Sequence, residues 1–431
     1  MSRVTRERYV PAAVFAVLGA AVLVGLILNA TGSELGTPVP PLIGQPEFGV
    51  HWLIAPAVAL FAGAVWVAPR LLTLSTPWFL AAATAGTLVL RLALQAGGDG
   101  PGEWDRIFDP DGSFEGPNEY LPALIALRYG PDIFLDRFAE VVPALPVHAA
   151  GHPPGLLLTM DFLGIASSQG LAALCIFAGA LATPLVYLVG RELLDEPRAR
   201  VAALALVFSP VALLFGATSA DGLFMTLGLL AAWPLATWRT TGTWGRLAGG
   251  AAALALVSFF AWSLLAIPAW AAVIAWRRDG FRRALTLGAA CAAAIAVFYT
   301  ALFALTGFDP IGTFQATEGV YRAGIASTRP YTYWFFGSPA AFLFTLGVPL
   351  TWLALRALGR GEDVAVAIFA VIAVACIAGF TKAETERIWL FFAPFVCLAA
   401  AAVLPVERVR PVFGALAVQA LVTEVVWFTV W

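Results

Sequence analysis

Lysine is nearly missing from this chain. Lys382 is the only one, and almost every other basic residue is arginine, which together with abundant alanine points to a GC-rich genome. Charge of any kind is scarce: 12% of the 431 residues are charged and 60% are hydrophobic, with a mean hydropathy of +0.85. That leaves too little polar surface to coat a soluble globule of this size, so the composition excludes one and implies a polytopic membrane protein. The formal charge of -2 hides a strong segregation of sign, and nothing in it supports a nucleic-acid partner. The four cysteines, Cys175, Cys291, Cys376 and Cys397, lie in apolar runs without metal-type spacing. They read as small buried hydrophobes, not as disulfides or ligands. Soluble domains, low-complexity linkers and clear internal repeats are also lacking, so residues 1–431 read as one membrane domain.

Against that background one polar stretch stands out, from Gly97 to Pro154. It carries Asp99, Glu103, Asp105, Asp109, Asp111, Glu115, Glu119, Asp132, Asp136 and Glu140, opposed only by Arg106, Arg128 and Arg137. It ends in Gly151-His152-Pro153-Pro154-Gly155. Structureless connectors of this length are uncommon and usually functional.

Spanning helices need about 20 mainly apolar residues, and their cytoplasmic ends collect arginine. The basic start, Arg3, Arg6 and Arg8, precedes an uncleaved first span rather than a signal peptide. Both rules give one path: 10–29 outward, 52–68 inward to Arg70, and 77–95 outward into the acidic loop 96–155. The run 156–165 is too short to span and is expected at the outer face. Spans follow over 170–190, 201–216 and 222–237. The stretch 247–276 has arginines at both ends, so it must cross an even number of times, as two short helices turning near Trp262 and Ser263. Then come 284–305, an outer segment 307–338, and spans over 339–355, 364–380, 388–404 and 412–430. The expected fold is all-α, with about 12 to 13 transmembrane helices, the N-terminus cytoplasmic and four polar segments on the outer face.

His152-Pro153-Pro154 is by itself a rigid helix start. Placed at the end of an acidic outer loop before an apolar run, it resembles the His-Pro-Pro-Leu signature of the GT-C membrane glycosyltransferases, such as protein O-mannosyltransferases and aminoarabinose transferases. Arg191-Glu192-Leu193-Leu194, Arg198-Ala199-Arg200-Val201, Ser209-Pro210 and Thr218-Ser219-Ala220-Asp221-Gly222 are also similar to what those families carry. The likeness covers about 118–238; beyond it only the architecture is similar. The family's acid, often in an Asp-Glu pair followed by aromatics, matches Asn118-Glu119-Tyr120-Leu121 here. Asparagine stands in place of the first acid, and residues 1–76 hold two extra helices.

The resemblance implies a GT-C-like bundle in the plasma membrane, with the first long outer loop catalytic. It further implies transfer of a sugar from a polyprenyl-phosphate donor to a glycan, lipid or protein hydroxyl, with inversion. Such transfer needs a base for the acceptor proton and groups to hold the departing phosphate. Glu119 is the leading base, with Asp105 and Asp136 as rivals; for each, the plain alternative is a solvated loop charge. His152, Asp221, Lys382, Glu384, Glu386 and Arg387 are candidates for the donor and its phosphate, with Arg322 and Arg329 from the loop rich in tyrosine and tryptophan. Helix capping by Asp221 and interface anchoring by the Lys382–Arg387 charges are the structural alternatives. His148 and His152 have a spacing seen in zinc sites, but Gly151 and Pro153 break the helix that would align them, so no metal site is assigned. A divalent ion on the loop carboxylates stays open as a cofactor. Two other functions compete: a lipid-linked sugar flippase or transporter, and a non-catalytic partner that keeps the fold. Transport wants ionisable groups near the membrane midplane and a repeated architecture, whereas here the apolar runs read as nearly charge-free, with Asp161 and Glu424 as exceptions near expected helix ends.

Overall fold

The computed structural model describes residues 3–429, with side chains from Arg6 onward. The side chain of Arg3 and the expected span end at Val430 lie outside the described residues. The protein is almost wholly helical, apart from a two-residue pairing in which Gln45 faces Phe428 and Pro46 faces Trp427.

Among the described residues six helices are long and apolar enough to cross a membrane: Arg6–Ala30, Ile54–Leu71, Thr76–Gly98, Ser168–Leu193, Phe281–Thr306 and Val406–Val426. Two bent pairs bring the number to as many as eight: Glu196–Phe208 with Pro210–Thr218, bent by 58°, and Tyr331–Leu346 with Val348–Arg360, bent by 114°. The rest of the expected crossings fall on helices outside that group, among them Asp221–Thr241, Trp244–Ser258, Ile267–Asp279 and Asp363–Ala378.

Helix Glu196–Phe208 starts where Asp195 caps it, its carboxylate accepting from the Arg198 amide at 3.0 Å. Arg200 then clamps the distant turn between Ile54–Leu71 and Thr76–Gly98, donating to the carbonyls of Leu72 at 3.1 Å and Leu74 at 2.5 Å. Glu196 accepts from Arg200, Arg191 and Tyr187. The Arg191 and Arg198–Arg200 segments thus fasten helices together at the arginine-rich end.

The segment 339–355, expected as one continuous span, is instead broken at Gly347, whose φ of +125° favours glycine. A broken helix inside a membrane must have its freed backbone groups satisfied by other parts of the protein. Here they are. Ser209 Oγ donates to Leu346 O at 2.7 Å and Thr351 Oγ1 to Leu343 O at 2.5 Å. Gln419 donates to Phe344 O at 2.8 Å and accepts from the Val348 amide at 2.9 Å. Ser209 is itself the hinge of the other bent pair, so the two interrupted helices meet at their breaks.

The acidic loop differs from a structureless connector. It is a chain of short helical turns, including Arg106–Phe108, Gly116–Asn118, Leu121–Tyr129, Pro131–Asp136 and Val147–Ala150. Ile107, Phe108, Phe134, Phe138 and Val142 are buried within it and join the main core. The expected pair of short helices over 247–276 is present as Trp244–Ser258 and Ile267–Asp279, joined by a turn at Trp262–Ala266.

Candidate functional site

The acidic loop delivers one carboxylate deep into the protein. Glu119 follows the Gly116–Asn118 turn and is 1% exposed. Its Oε1 lies 3.8 Å from His148 Nε2, and the same nitrogen is 3.4 Å from Glu115 Oε2. Glu119 Oε2 is buried and hydrogen bonds to nothing among the described residues. Asn118 donates to Glu115 Oε2 at 3.3 Å. The second carboxylate of the site is therefore Glu115, four residues before Glu119.

From the other side come the helix Asp221–Thr241 and the turn between Gly379 and Trp389. Arg387 Nη1 donates to Asp221 Oδ2 at 2.8 Å, and its Nη2 to Glu384 Oε2 at 3.3 Å. Glu384 Oε1 accepts from Arg329 at 2.6 Å. Asp221 is thus turned toward Arg387, and the first amide of the helix it starts is bound by Ser219 Oγ at 3.3 Å. Ala383 and Glu384 have φ of +64° and +56°. Two adjacent left-handed residues other than glycine are uncommon, and such strain persists only where the surroundings enforce it. Here the turn is held by Arg329, which also donates to Lys382 O at 2.8 Å, and by Tyr321, whose hydroxyl accepts from the Lys382 amide at 2.7 Å.

These groups set one another's protonation. Burial pushes the Glu119 carboxyl up from its ordinary range, and the nearby His148 and Arg387 offset only part of that. Burial opposes the His148 cation, but Glu119 and the hydrogen bond to Glu115 outweigh it and raise the His148 pKa. Arg387 is also held charged against burial by Asp221, Glu384 and Glu119. Burial would raise the Glu384 carboxyl, yet the Arg329 and Arg387 guanidiniums pull it below its usual value. Glu386 has no such partner: burial lifts it to about 7, and the Ile43 amide, donating at 2.6 Å, lowers it only partly. Glu386 also lines an apolar cavity of about 180 Å³ formed with Leu214, Phe215, Phe344 and Trp427.

The other expected residues lie elsewhere or act differently. His152 is packed between Phe224 and Tyr120, with ring centroids at 4.8 and 6.3 Å. Burial and the positive neighbours His148 and Arg387 press its pKa down to about 3, so it offers no positive charge to a phosphate. Asp105 accepts from Ser168 Oγ at 2.6 Å, tying the loop to the next span. Asp136 is 58% exposed beside Arg137, a solvated loop charge. Arg322 pairs on the surface with Glu318. The Lys382 ammonium points to Ala326 O at 3.3 Å rather than into the cluster.

Sequence reasoning missed Glu115, and it weighed His148 only as a zinc ligand. It also passed over the loop 31–53. That loop reaches the site through the Ile43 amide and through Leu35 O, which accepts from Trp334 at 3.0 Å. Arg91 was missed too: it is buried inside Thr76–Gly98, with Nη1 3.3 Å from Gly216 O.

No group of three or more His, Cys, Asp or Glu among the described residues is placed to hold a metal ion. Glu115 and Glu119 both approach His148 Nε2, so the imidazole sits between two carboxylates. No protein-family model and no curated protein matches this chain.

Proposed function

We propose that this chain transfers a sugar from a polyprenyl-phosphate donor to an acceptor hydroxyl at the acidic-loop face, with inversion and with Glu119 as general base. The observation that carries the reading is the Glu119 carboxylate itself. It is buried, raised in pKa and left with one oxygen unpartnered, while a charged guanidinium and an apolar cavity stand on the neighbouring elements. A general base works best when its pKa lies near the operating pH.

In this reading Glu119 Oε2 takes the acceptor proton as the acceptor oxygen bonds to the anomeric carbon. The bond from that carbon to the phosphate oxygen breaks, and the phosphate leaves with the electron pair. Arg387 stabilises the departing charge by exchanging its contact with Glu384 for one with phosphate. His148, held by Glu115, stabilises the charged Glu119 carboxylate before the proton arrives, and Glu119 releases that proton to water when the product leaves. The apolar cavity beside Glu386 takes the first isoprene units. The finer architecture, a GT-C-like bundle of about 12 to 13 spans in the plasma membrane with the site outside, belongs to the same proposal.

Purified protein in liposomes, given polyprenyl-phosphate mannose, arabinose or glucose, is expected to transfer one of them. Glu119→Gln is expected to reduce the rate by about 10² to 10⁴, the usual contribution of a general base, with unchanged thermal stability. Full activity of Glu119→Gln would remove the assigned base.

A flippase is the second reading, favoured by the two interrupted helices that meet at Ser209 and Gly347, a feature of transporters. At the Gly347 break the carbonyls of Leu343, Phe344 and Leu346 and the Val348 amide are taken by Thr351, Gln419 and Ser209, which leaves fewer groups there for a cargo. Movement of a fluorescent lipid-linked sugar between leaflets, without transfer, would favour this second reading.

A further inference from the structure

A second, larger cavity lies at the other end of the protein from the one beside Glu386. It is a groove of about 840 Å³ running along helix Val348–Arg360, bounded by the start of Glu196–Phe208 and by the turn before Val409–Val426. Its cationic end is fixed by the first helix. Arg356 and Arg360 both donate to Glu7, near the start of Arg3–Ala30, whereas the site described above is covered by the loop that follows the same helix. A 28-residue helix is about 42 Å long, so the two places lie on opposite sides of the molecule.

The groove is graded in polarity. Val348, Trp352, Arg356 and Arg360 are spaced at four residues and lie on one stripe of the helix. From Val348 to Arg360 the helix rises about 18 Å, close to the roughly 15 Å half-thickness of a bilayer core. At the apolar end Val348 and Trp352 are exposed, facing Val412 of the last helix. At the polar end Arg198 and Arg408 join Arg356 and Arg360. Asp195 pairs with Arg198, Glu7 pairs with Arg356 and Arg360, and Glu362 also acts on Arg360. Arg408 makes no side-chain hydrogen bond or ion pair among the described residues, and it is exposed.

A cationic mouth above an apolar floor, open on the side of a membrane protein, fits an amphiphile with an anionic head. A soluble anion would leave the stripe of Val348 and Trp352 uncovered, and a neutral lipid would leave Arg408 unmatched. We propose that this groove is a binding site for one anionic phospholipid, its phosphate at Arg198 and Arg408 and an acyl chain along Trp352 toward Val348.

The test is a lipid titration of the full chain in neutral detergent followed by native mass spectrometry, with phosphatidylglycerol, phosphatidylcholine and inorganic phosphate as probes. The wild-type chain is expected to retain one phosphatidylglycerol in preference to phosphatidylcholine. The pair Arg198→Gln and Arg408→Gln is expected to weaken phosphatidylglycerol binding about thirtyfold, about fivefold for each charge, and to leave phosphatidylcholine unchanged. The charge-keeping pair Arg198→Lys and Arg408→Lys is expected to preserve the preference, which separates loss of charge from loss of fold. A phosphatidylglycerol carrying brominated chains is expected to quench less tryptophan emission in Trp352→Phe. Equal retention of the two lipids by the wild-type chain would overturn the proposal. So would undiminished phosphatidylglycerol binding by the glutamine pair, or complete displacement of the lipid by equimolar inorganic phosphate.

Discussion

Arg387 and Asp221 are 166 positions apart in sequence and meet through a buried 2.8 Å hydrogen-bonded ion pair. The pair joins the start of helix Asp221–Thr241 to the strained turn at Ala383 and Glu384. Removing one member of a buried pair leaves an uncompensated charge, which costs about 3 to 5 kcal/mol. Asp221→Asn is therefore expected to lower unfolding stability in detergent by that order, and Arg387→Met by a similar amount. The double variant is expected to lose less than the two single losses together, because neither charge is then stranded. Strict additivity in a denaturant or thermal double-mutant cycle would count against the pair as the fastener of this region.

The pH dependence of transfer separates Glu119 from the other acids. Its pKa is raised by burial, so the basic form fills only at higher pH, and the rate is expected to rise with pH through that raised value. The positive charge of His148 pulls the Glu119 pKa back down. His148→Gln is therefore expected to move the rising limb of the rate profile to higher pH. An unmoved limb would show that the titrating group is not Glu119.

Glu386 gives a stability signature independent of activity. An acid whose folded pKa exceeds its unfolded one binds more protons when folded, so stability falls as pH rises between the two values. Here that window runs from about 4.5 to about 7, worth about 3 kcal/mol. The wild-type chain is expected to lose stability relative to Glu386→Gln over this window and no further above it. Unfolding curves of both proteins at pH 4.5, 6 and 8 would check the sign; a difference that is flat or that grows in favour of wild type would overturn it.

Much of the helix layout was legible because arginine position and apolar length are local quantities. The two short helices over 247–276 were read from arginines at both ends, and two helices joined by the turn at Trp262–Ala266 are found there. The break at Gly347 was not legible, since hydropathy does not register a backbone interruption inside an apolar run. The groups that make it tolerable, Ser209 and Gln419, come from remote segments. Arg91 vanished for a related reason: one charge in a long apolar window barely changes its mean. At the site, Glu119, Asp221, Glu384 and Arg387 could be nominated from motif and topology. Glu115 could not, because its approach to Glu119 depends on the turn at Gly116–Asn118 and on Asn118 holding its carboxylate. Asp105 and Asp136 stood as rivals to Glu119 as loop acids, and tertiary structure separates them: Asp136 is exposed, while the buried Asp105 is taken by Ser168.

The Pro-Pro-Gly step offers a last test of how the motif works. Gly155 donates its amide to Phe259 O at 2.9 Å, docking the end of the acidic loop onto the turn between Trp244–Ser258 and Ile267–Asp279. A Cβ on Gly155 would lie 2.4 Å from that carbonyl oxygen, and a backbone carbonyl cannot rotate aside as a side chain could. Gly155→Ala is therefore expected to cost about 1 to 3 kcal/mol through overpacking and to loosen the loop that carries His148 and His152. Gly249→Ala is the matched control: its Cβ would meet nothing within 4 Å in the middle of an exposed helix face. There the exchange is expected to raise stability by about 0.5 to 1 kcal/mol through helix propensity. Opposite signs for the two alanine variants in the same unfolding assay would establish that the glycine after the two prolines is required for close approach. Equal and small effects would leave the motif as a helix start alone.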